Sequence, residues 1–337
     1  MRRALGIALI AAATAGVSTA AGQEQNLLDR CWTPQALAGT EAELPPSRVH
    51  ARIDLAALKA EQLPAISPVP QSLRGSIRSV TLPPGEKLIA LTFDLCEANG
   101  SAAGYDGRIV DLLRAQGVKA TFFAGGKWME THPERAAQLI ADPNFEIGSH
   151  GLRHFDMSKI AGDDLKDEIG LTQAAYTRAR TALLARQCAV SSGTSNSPPA
   201  SMSLIRFPYG HCNAASLAAV ADQGEIAIQW DIVTGDPDPQ RSAAAIAETI
   251  LRKAHPGAIV IGHANGRGKH TAEALALAIP KLKQEGYSFV TVSELLAAGT
   301  PVIASGCYLD HPGASPHAPR VSHSESHDVF GLFRTTR

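Results

Sequence analysis

The sequence carries no excess of charge of either sign: 31 lysines and arginines stand against 32 aspartates and glutamates, with no basic stripe. That balance removes the electrostatic reason to expect nucleic acid or an anionic membrane as a partner. No apolar run reaches the roughly 20 residues that a membrane span needs. The run from Ala4 to Val17 follows Arg2 and Arg3 and passes into the small residues Ser18 to Gly22. This is the layout of an export signal, with cleavage expected after Ala20 or Ala21. No cysteine follows that cleavage site directly, so no lipid anchor is expected there, and the mature protein is expected to be exported and soluble. Cysteines are few and scattered: Cys31, Cys96, Cys188, Cys212 and Cys307. They form neither a CxxC zinc knuckle nor a dense disulfide framework. Export permits disulfides, and an odd number leaves at least one thiol unpaired. Cys31 and Cys307 flank the main domain and are one pair that could tie its ends together, with the pairing itself left open by the sequence.

A length of 337 residues suits one large α/β domain with extensions, or two ordinary domains. Residues 22–85 are rich in proline and alanine and read as an irregular lead-in. From Lys87 the character changes. Strands are expected at 87–93, 119–123, 145–148, 203–207, 226–232, 258–261 and 288–292. Helices are expected at 108–116, 134–141, 163–186, 214–223, 243–254 and 272–284. A Ser/Pro/Gly segment at 190–201 interrupts this order as a flexible insertion. Strands alternating with helices imply parallel strands joined by helical crossovers. Closure into a barrel fits better than an open sheet, because no GxGxxG turn follows the first strand. The domain is therefore placed at 86–300. Residues 301–337, with His311, His317, His323 and His327, are read as a disordered tail.

In parallel α/β barrels, chemistry gathers in the loops after the strands. Those positions hold Asp94 and Glu97, then His150 and His154, then Arg206, Tyr209 and His211, then Asp231 and Asp236, and finally His263. Two imidazoles four residues apart suit zinc, cobalt or nickel. Carboxylates, an arginine and histidines converging on one rim point to metal-assisted hydrolysis.

These residues carry a resemblance. Thr92-Phe93-Asp94, Ser149-His150-Gly-Leu-Arg-His154, Arg206-Phe207-Pro208-Tyr209-Gly210, Trp230-Asp231 and Ile261-Gly262-His263 are similar, in order, to the five motifs of the polysaccharide deacetylases, carbohydrate esterase family 4 or the NodB-homology domain. The resemblance spans about 87 to 296. It implies an irregular (β/α)7 barrel that removes acetyl groups from N-acetylated sugars with one divalent metal, zinc first and cobalt or nickel as alternatives. His150 and His154 would hold a metal that polarises the amide carbonyl and activates water. Asp94 would be the general base, and Arg206 would keep it ionised. The backbone N–H of Tyr209 would face the developing oxyanion. His263 would protonate the leaving amine, oriented by an aspartate near Trp230.

Two departures stand out. Where the family's TFDD motif places a metal-binding aspartate, this chain has Leu95. Either two histidines and water suffice, or Glu97, Asp94 or Cys96 supplies the missing ligand, with Glu97 favoured as a carboxylate two residues on. In the fourth motif an aspartate has become Val233 and a tryptophan Pro237, and Asp231, on the same expected strand face as Val233, is the candidate replacement. The implied partner is an N-acetylated cell-wall or chitin-like polymer, with no nucleic acid and no stable membrane span. Two other readings remain: a small-amide C–N hydrolase on the same fold, and a non-catalytic glycan-binding pseudoenzyme.

Overall fold

Strands buried on both faces of a parallel sheet read as continuous apolar runs rather than as alternation. The sequence LIALTFDL at β2 (Leu88–Leu95) and ATFFA at β3 (Ala120–Ala124) follow that rule, and both are buried along nearly their whole length. The computed structural model describes residues 26–45, 53–97, 103–190 and 197–307. The expected export segment and the histidine-bearing part of the expected tail lie outside the described residues.

β1 (Ser76–Thr81) precedes β2, and after β3 come β4 (Phe145–Ser149), β5 (Leu204–Ile205), β6 (Ile226–Ile228), β7 (Ile232–Val233), β8 (Ile259–His263), β9 (Ser288–Phe289) and β10 (Thr300–Ala304). Their order across the sheet is β10, β1, β6, β5, β4, β3, β2, β8, β7, with β9 alongside β2. All neighbours are parallel except β1 and β10. The sheet curls back on itself. Ser79 of β1 bridges Ala258 at the foot of β8, and the Val80 N–H donates to the Gly257 carbonyl at 2.9 Å. A side chain at Gly257 would lie 1.7 Å from the Val80 carbonyl oxygen, and its φ is +85°, so only glycine allows that closure. The architecture is an irregular (β/α) barrel with helices packed around it.

Alternation sets what the barrel encloses. Ile77, Ala90, Phe123, Leu204, Ile228 and Ile259, contributed by six strands, form one apolar cluster. Val292 and Leu295 of the helix Val292–Ala298 join it. Each buried Ile, Leu, Val or Phe among them contributes about 1.5–3 kcal/mol. The largest cluster lies between the outer face of the sheet and the helices, and it includes Phe93 and Leu95. Odd positions of β2 thus face the helices, and even positions face the barrel interior.

Four features differ from the sequence-based expectation. Ser76–Thr81, within the expected irregular lead-in, is a strand of the sheet. Thr300–Ala304, at the start of the expected tail, pairs antiparallel with it. The single strand expected at 226–232 is two strands, because Gln229 N still bonds the β1 side, at Ile77 O (2.7 Å), while Asp231 N has crossed to Ile259 O (3.2 Å). Cysteine pairing also differs: the bridges are Cys31–Cys188 and Cys212–Cys307, with Cys96 free and buried. The two terminal cysteines each tie an end of the domain to its middle, not to each other. Among the described residues no helix is long and apolar enough to cross a membrane.

Candidate active site

Above the apolar plug the barrel interior turns polar. On β2 the inward positions are Thr92 and then Asp94, both buried. Arg206, just past β5, is fully buried beside them. Its guanidinium donates to Asp94 Oδ1 (2.9 Å), to the Thr92 hydroxyl oxygen (2.8 Å) and to the Gln229 carbonyl (3.2 Å). It also stacks over the Phe123 ring at 4.1 Å and faces the Trp230 ring at 5.4 Å. Gly148 makes that stack possible, since a Cβ there would meet the Phe123 ring at 2.7 Å. Burial pushes the Asp94 pKa up, but His150, Arg206 and His263 together outweigh it and hold the carboxyl below its ordinary range. Asp94 is therefore a carboxylate at neutral pH.

His150 follows β4, and its Nδ1 lies 2.8 Å from the Arg206 carbonyl oxygen. A carbonyl only accepts, so Nδ1 carries the proton and Nε2 is the lone-pair nitrogen. That Nε2 sits 3.5 Å from Asp94 Oδ2. Burial lowers the pKa of His150, and lowers that of His154 well below the ordinary value. Burial thus favours the neutral form of both rings, the form a metal ligand needs. The loop between them is held from outside by Glu168 of the helix Gly162–Leu184. Its carboxylate accepts from the backbone N–H groups of Arg153 (2.6 Å) and Phe155 (3.2 Å). His154 has φ +58° and Tyr209 φ +61°, backbone states that side chains other than glycine adopt at a cost of order 1–3 kcal/mol. Their rings meet edge to face at 4.5 Å. Such strain gathered at one pocket is a mark of function, and only the folded chain reveals it. His154 Nδ1 is buried and has no hydrogen-bond partner, a donor set short of something to bind.

On the opposite wall, His263 ends β8. Its Nδ1 is 2.9 Å from Asp236 Oδ1, and its backbone N–H donates to Asp236 Oδ2 at 2.8 Å. The Thr271 hydroxyl donates to the same carboxylate at 2.8 Å. Burial lowers the pKa of His263, but the charge of Asp236 and its hydrogen bond overcome this and raise it above the ordinary value. This imidazole is set up to carry a proton at Nε2.

Two candidates from the sequence lie elsewhere. Asp231, expected to orient His263, instead binds His255 Nε2 at 2.7 Å and the Ile259 N–H at 3.0 Å. Its assignment assumed one unbroken strand, and the break before β7 removes the shared face. Asp236 occupies that role. Glu97, expected to ligate a metal, is turned toward the helix Gly126–Thr131, where it accepts from the Thr131 hydroxyl and faces Lys127 Nζ at 3.1 Å. Glu97 has the parity of Leu95, which faces the helices, whereas Cys96 has the parity of Asp94. Among the described residues the group suited to a metal is Cys96, His150 and His154, whose ligand atoms all lie within 4.8 Å of one another. His211 is paired with Asp156 at 2.9 Å, on a half-exposed side chain. One pocket is lined by Asp94, Cys96, His154, Tyr209, Trp230 and His263 among others. The period-2 rule applied to positions 94 and 96 was the available signal for Cys96. Glu168 and Asn265, which donates to the Cys96 carbonyl at 2.9 Å and its sulfur at 3.3 Å, had none.

Residues 81–226 match the family model for polysaccharide deacetylase. A peptidoglycan-N-acetylglucosamine deacetylase of Bacillus cereus is 30% identical over 220 residues, which is 64% of this chain and 91% of the relative. The chain belongs to the polysaccharide deacetylase family. The family consists of hydrolases acting on carbon–nitrogen bonds other than peptide bonds. The peptidoglycan-N-acetylmuramic acid deacetylase of Bacillus subtilis is 27% identical over 214 residues, covering 63% of this chain and 72% of that one. Among solved structures, a peptidoglycan N-acetylglucosamine deacetylase bound to a hydroxamate superposes with a TM-score of 0.55 at 25% identity, over 69% of this chain and 99% of the other. A family pseudoenzyme from Bacillus anthracis superposes with a TM-score of 0.53 at 27% identity, over 66% and 69%.

Proposed function

We propose that this protein hydrolyses the N-acetyl amide of N-acetylhexosamine units in a cell-wall polysaccharide, releasing acetate and leaving a free amine on the polymer. The observation that carries the reading is the pairing of an ionised carboxylate with a carboxylate-bound imidazole across one pocket, in a chain whose relatives include peptidoglycan deacetylases.

Amide hydrolysis needs a base for the attacking water, stabilisation of the oxyanion and an acid for the leaving nitrogen. Asp94, ionised and fixed by Arg206, takes the proton from water. The bend at Pro208–Gly210, with Pro208 and Gly210 buried and Tyr209 at positive φ, presents backbone around Tyr209 to the developing oxyanion. His263, its Nδ1 proton directed to Asp236, delivers a proton from Nε2 to the departing amine. Asp236 keeps that imidazole cationic and in register, and so acts as a positioning residue. A divalent metal held by His150 and His154 would polarise the carbonyl and lower the pKa of water. The neutral rings and the unpartnered His154 Nδ1 fit such an ion.

Export to the periplasm or beyond is part of this reading. Two disulfides among the described residues support an oxidising compartment, and the N-terminal pattern of Arg2 to Gly22 agrees with it. The test is acetate release from peptidoglycan and from chitin oligomers, with Asp94→Asn as the control. Activity in the wild type and a loss of more than about 100-fold in Asp94→Asn is the expected result. Absence of acetate release from either polymer by metal-loaded wild type would favour the pseudoenzyme reading, for which Leu95 is the feature in the chain.

A further inference from the structure

Leu95 is fully buried in the apolar layer beneath the helices. A substitution there does not simply leave a gap in a metal site, because the side chain faces away from the pocket. Any third protein ligand therefore comes from another position. We propose that Cys96 is the third protein ligand, so that this deacetylase binds its metal through one thiolate and two imidazoles and is tuned to zinc-class ions. The inference deepens the deacetylase reading, and rests on it for the expectation that a metal belongs in this pocket.

Four observations converge. Cys96, the first residue past β2, lines the same pocket as Asp94, His154 and His263. Its sulfur and one nitrogen of each histidine lie within 4.8 Å of one another. Bonds of about 2.3 Å to sulfur and about 2.0 Å to nitrogen set tetrahedral ligand atoms about 3.5 Å apart. The three atoms need to draw together by only about 1 Å, which small side-chain rotations supply. Asn265, fully buried, clamps the Cys96 carbonyl and sulfur, fixing the thiol's direction much as second-layer partners fix metal ligands elsewhere. The buried His154 Nδ1 is left without a hydrogen-bond partner.

The other candidates are placed for other work: Asp94 gives Oδ1 to Arg206 and keeps Oδ2, 3.5 Å from His150 Nε2, for the role of base, and Glu97 lies against Lys127 and Thr131. A thiolate also carries the single negative charge of the aspartate it replaces, so the site keeps the net charge expected for the family. On coordination the thiol proton passes to bulk water and the sulfur binds as thiolate. Thiolate ligation favours zinc and cobalt over magnesium, calcium and manganese.

The decisive experiment is cobalt(II) and zinc titration of the metal-stripped full-length protein, followed by absorption spectroscopy. Wild type with one equivalent of cobalt should show a near-ultraviolet thiolate-to-cobalt charge-transfer band. Cys96→Ser should lack the band and bind zinc more than tenfold more weakly. Cys96→Asp should lack the band yet recover much of the zinc affinity, and Glu97→Gln should keep both band and affinity. Cobalt bound by wild type without that band, or undiminished zinc affinity in Cys96→Ser, would overturn the thiolate ligand and leave the deacetylase reading standing if acetate is still released. The wild-type spectrum alone decides whether sulfur binds the metal, even if a variant folds poorly. A charge-transfer band in a protein that releases no acetate would instead retain the ligand and refute the activity. Failure of wild type to bind either ion would remove the ligand and the metal-dependent mechanism together.

Discussion

Replacing Asp236 by asparagine separates positioning from proton transfer. The carboxylate accepts from His263 Nδ1, from the His263 backbone N–H and from the Thr271 hydroxyl, at 2.9, 2.8 and 2.8 Å. An amide keeps one acceptor oxygen and turns an NH2 group toward donors on the other side. At least one buried N–H then loses its acceptor, at about 1–3 kcal/mol. The larger effect is on His263. Burial lowers its pKa, and Asp236 is what raises it above the ordinary value. Without that charge the lowering by burial is opposed only by the more weakly acting Asp94, and the pKa falls. The proton needed by the leaving amine is then absent at neutral pH, so kcat should fall by about 100- to 10,000-fold. The alkaline limb of the kcat profile should move acidward. Stability changes with pH in the same way. In wild type the raised pKa gives His263 a stabilising contribution that is complete below the unfolded value and lost as pH rises through the folded value. In the variant the pKa is lower, so that contribution shrinks. The assay is acetate release against pH, with the His263 ring followed by NMR. An unchanged alkaline limb in Asp236→Asn would refute the assignment of His263 as the acid held by this carboxylate.

Other outcomes follow from the same geometry. Arg206→Met leaves the buried Asp94 without its hydrogen-bonded cation and should cost about 3–5 kcal/mol in denaturant unfolding, besides raising the pH at which the acid limb of activity appears. Leu95→Asp, which would restore the family's residue type, should destabilise the fold by more than about 3 kcal/mol without tightening zinc binding, because position 95 faces the apolar layer. Glu225 is buried, and burial pushes its carboxyl well above the ordinary range. Its folded pKa is raised, so wild-type stability should decline as pH rises above about 4.3, and Glu225→Gln should flatten that decline in thermal melts at successive pH values. Reduction of Cys212–Cys307, which spans 95 positions, should lower stability by about 2–5 kcal/mol, read as a shift in denaturation midpoint with and without reductant.

Local patterns in the sequence determined much of this protein. Continuous apolar runs set β2, β3 and β8. Their alternation with helical spacing set a barrel of parallel strands, and polar residues directly after those strands marked Asp94, His150, His154, Arg206 and His263 as one group. Each of these rests on short-range periodicity, which one chain segment carries by itself. The tertiary structure decided the rest. β1 carries Ser76, Arg78 and Ser79 and β10 opens on Thr300-Pro301, so neither reads as an apolar run, and their pairing with each other, with β6 and, at Ser79, with Ala258 is made by the folded chain. The break between β6 and β7 depends on two different neighbours, Ile77 and Ile259, drawing successive residues to opposite sides of the barrel. That break gave His263 to Asp236 rather than Asp231. Disulfide partners separated by 157 and 95 positions likewise depend on folded proximity. Cys96 lies between the two cases. Its parity with Asp94 was written in the strand, but its value as a ligand needed the histidine loop, held by Glu168 and bent at His154, to bring two imidazoles beside it.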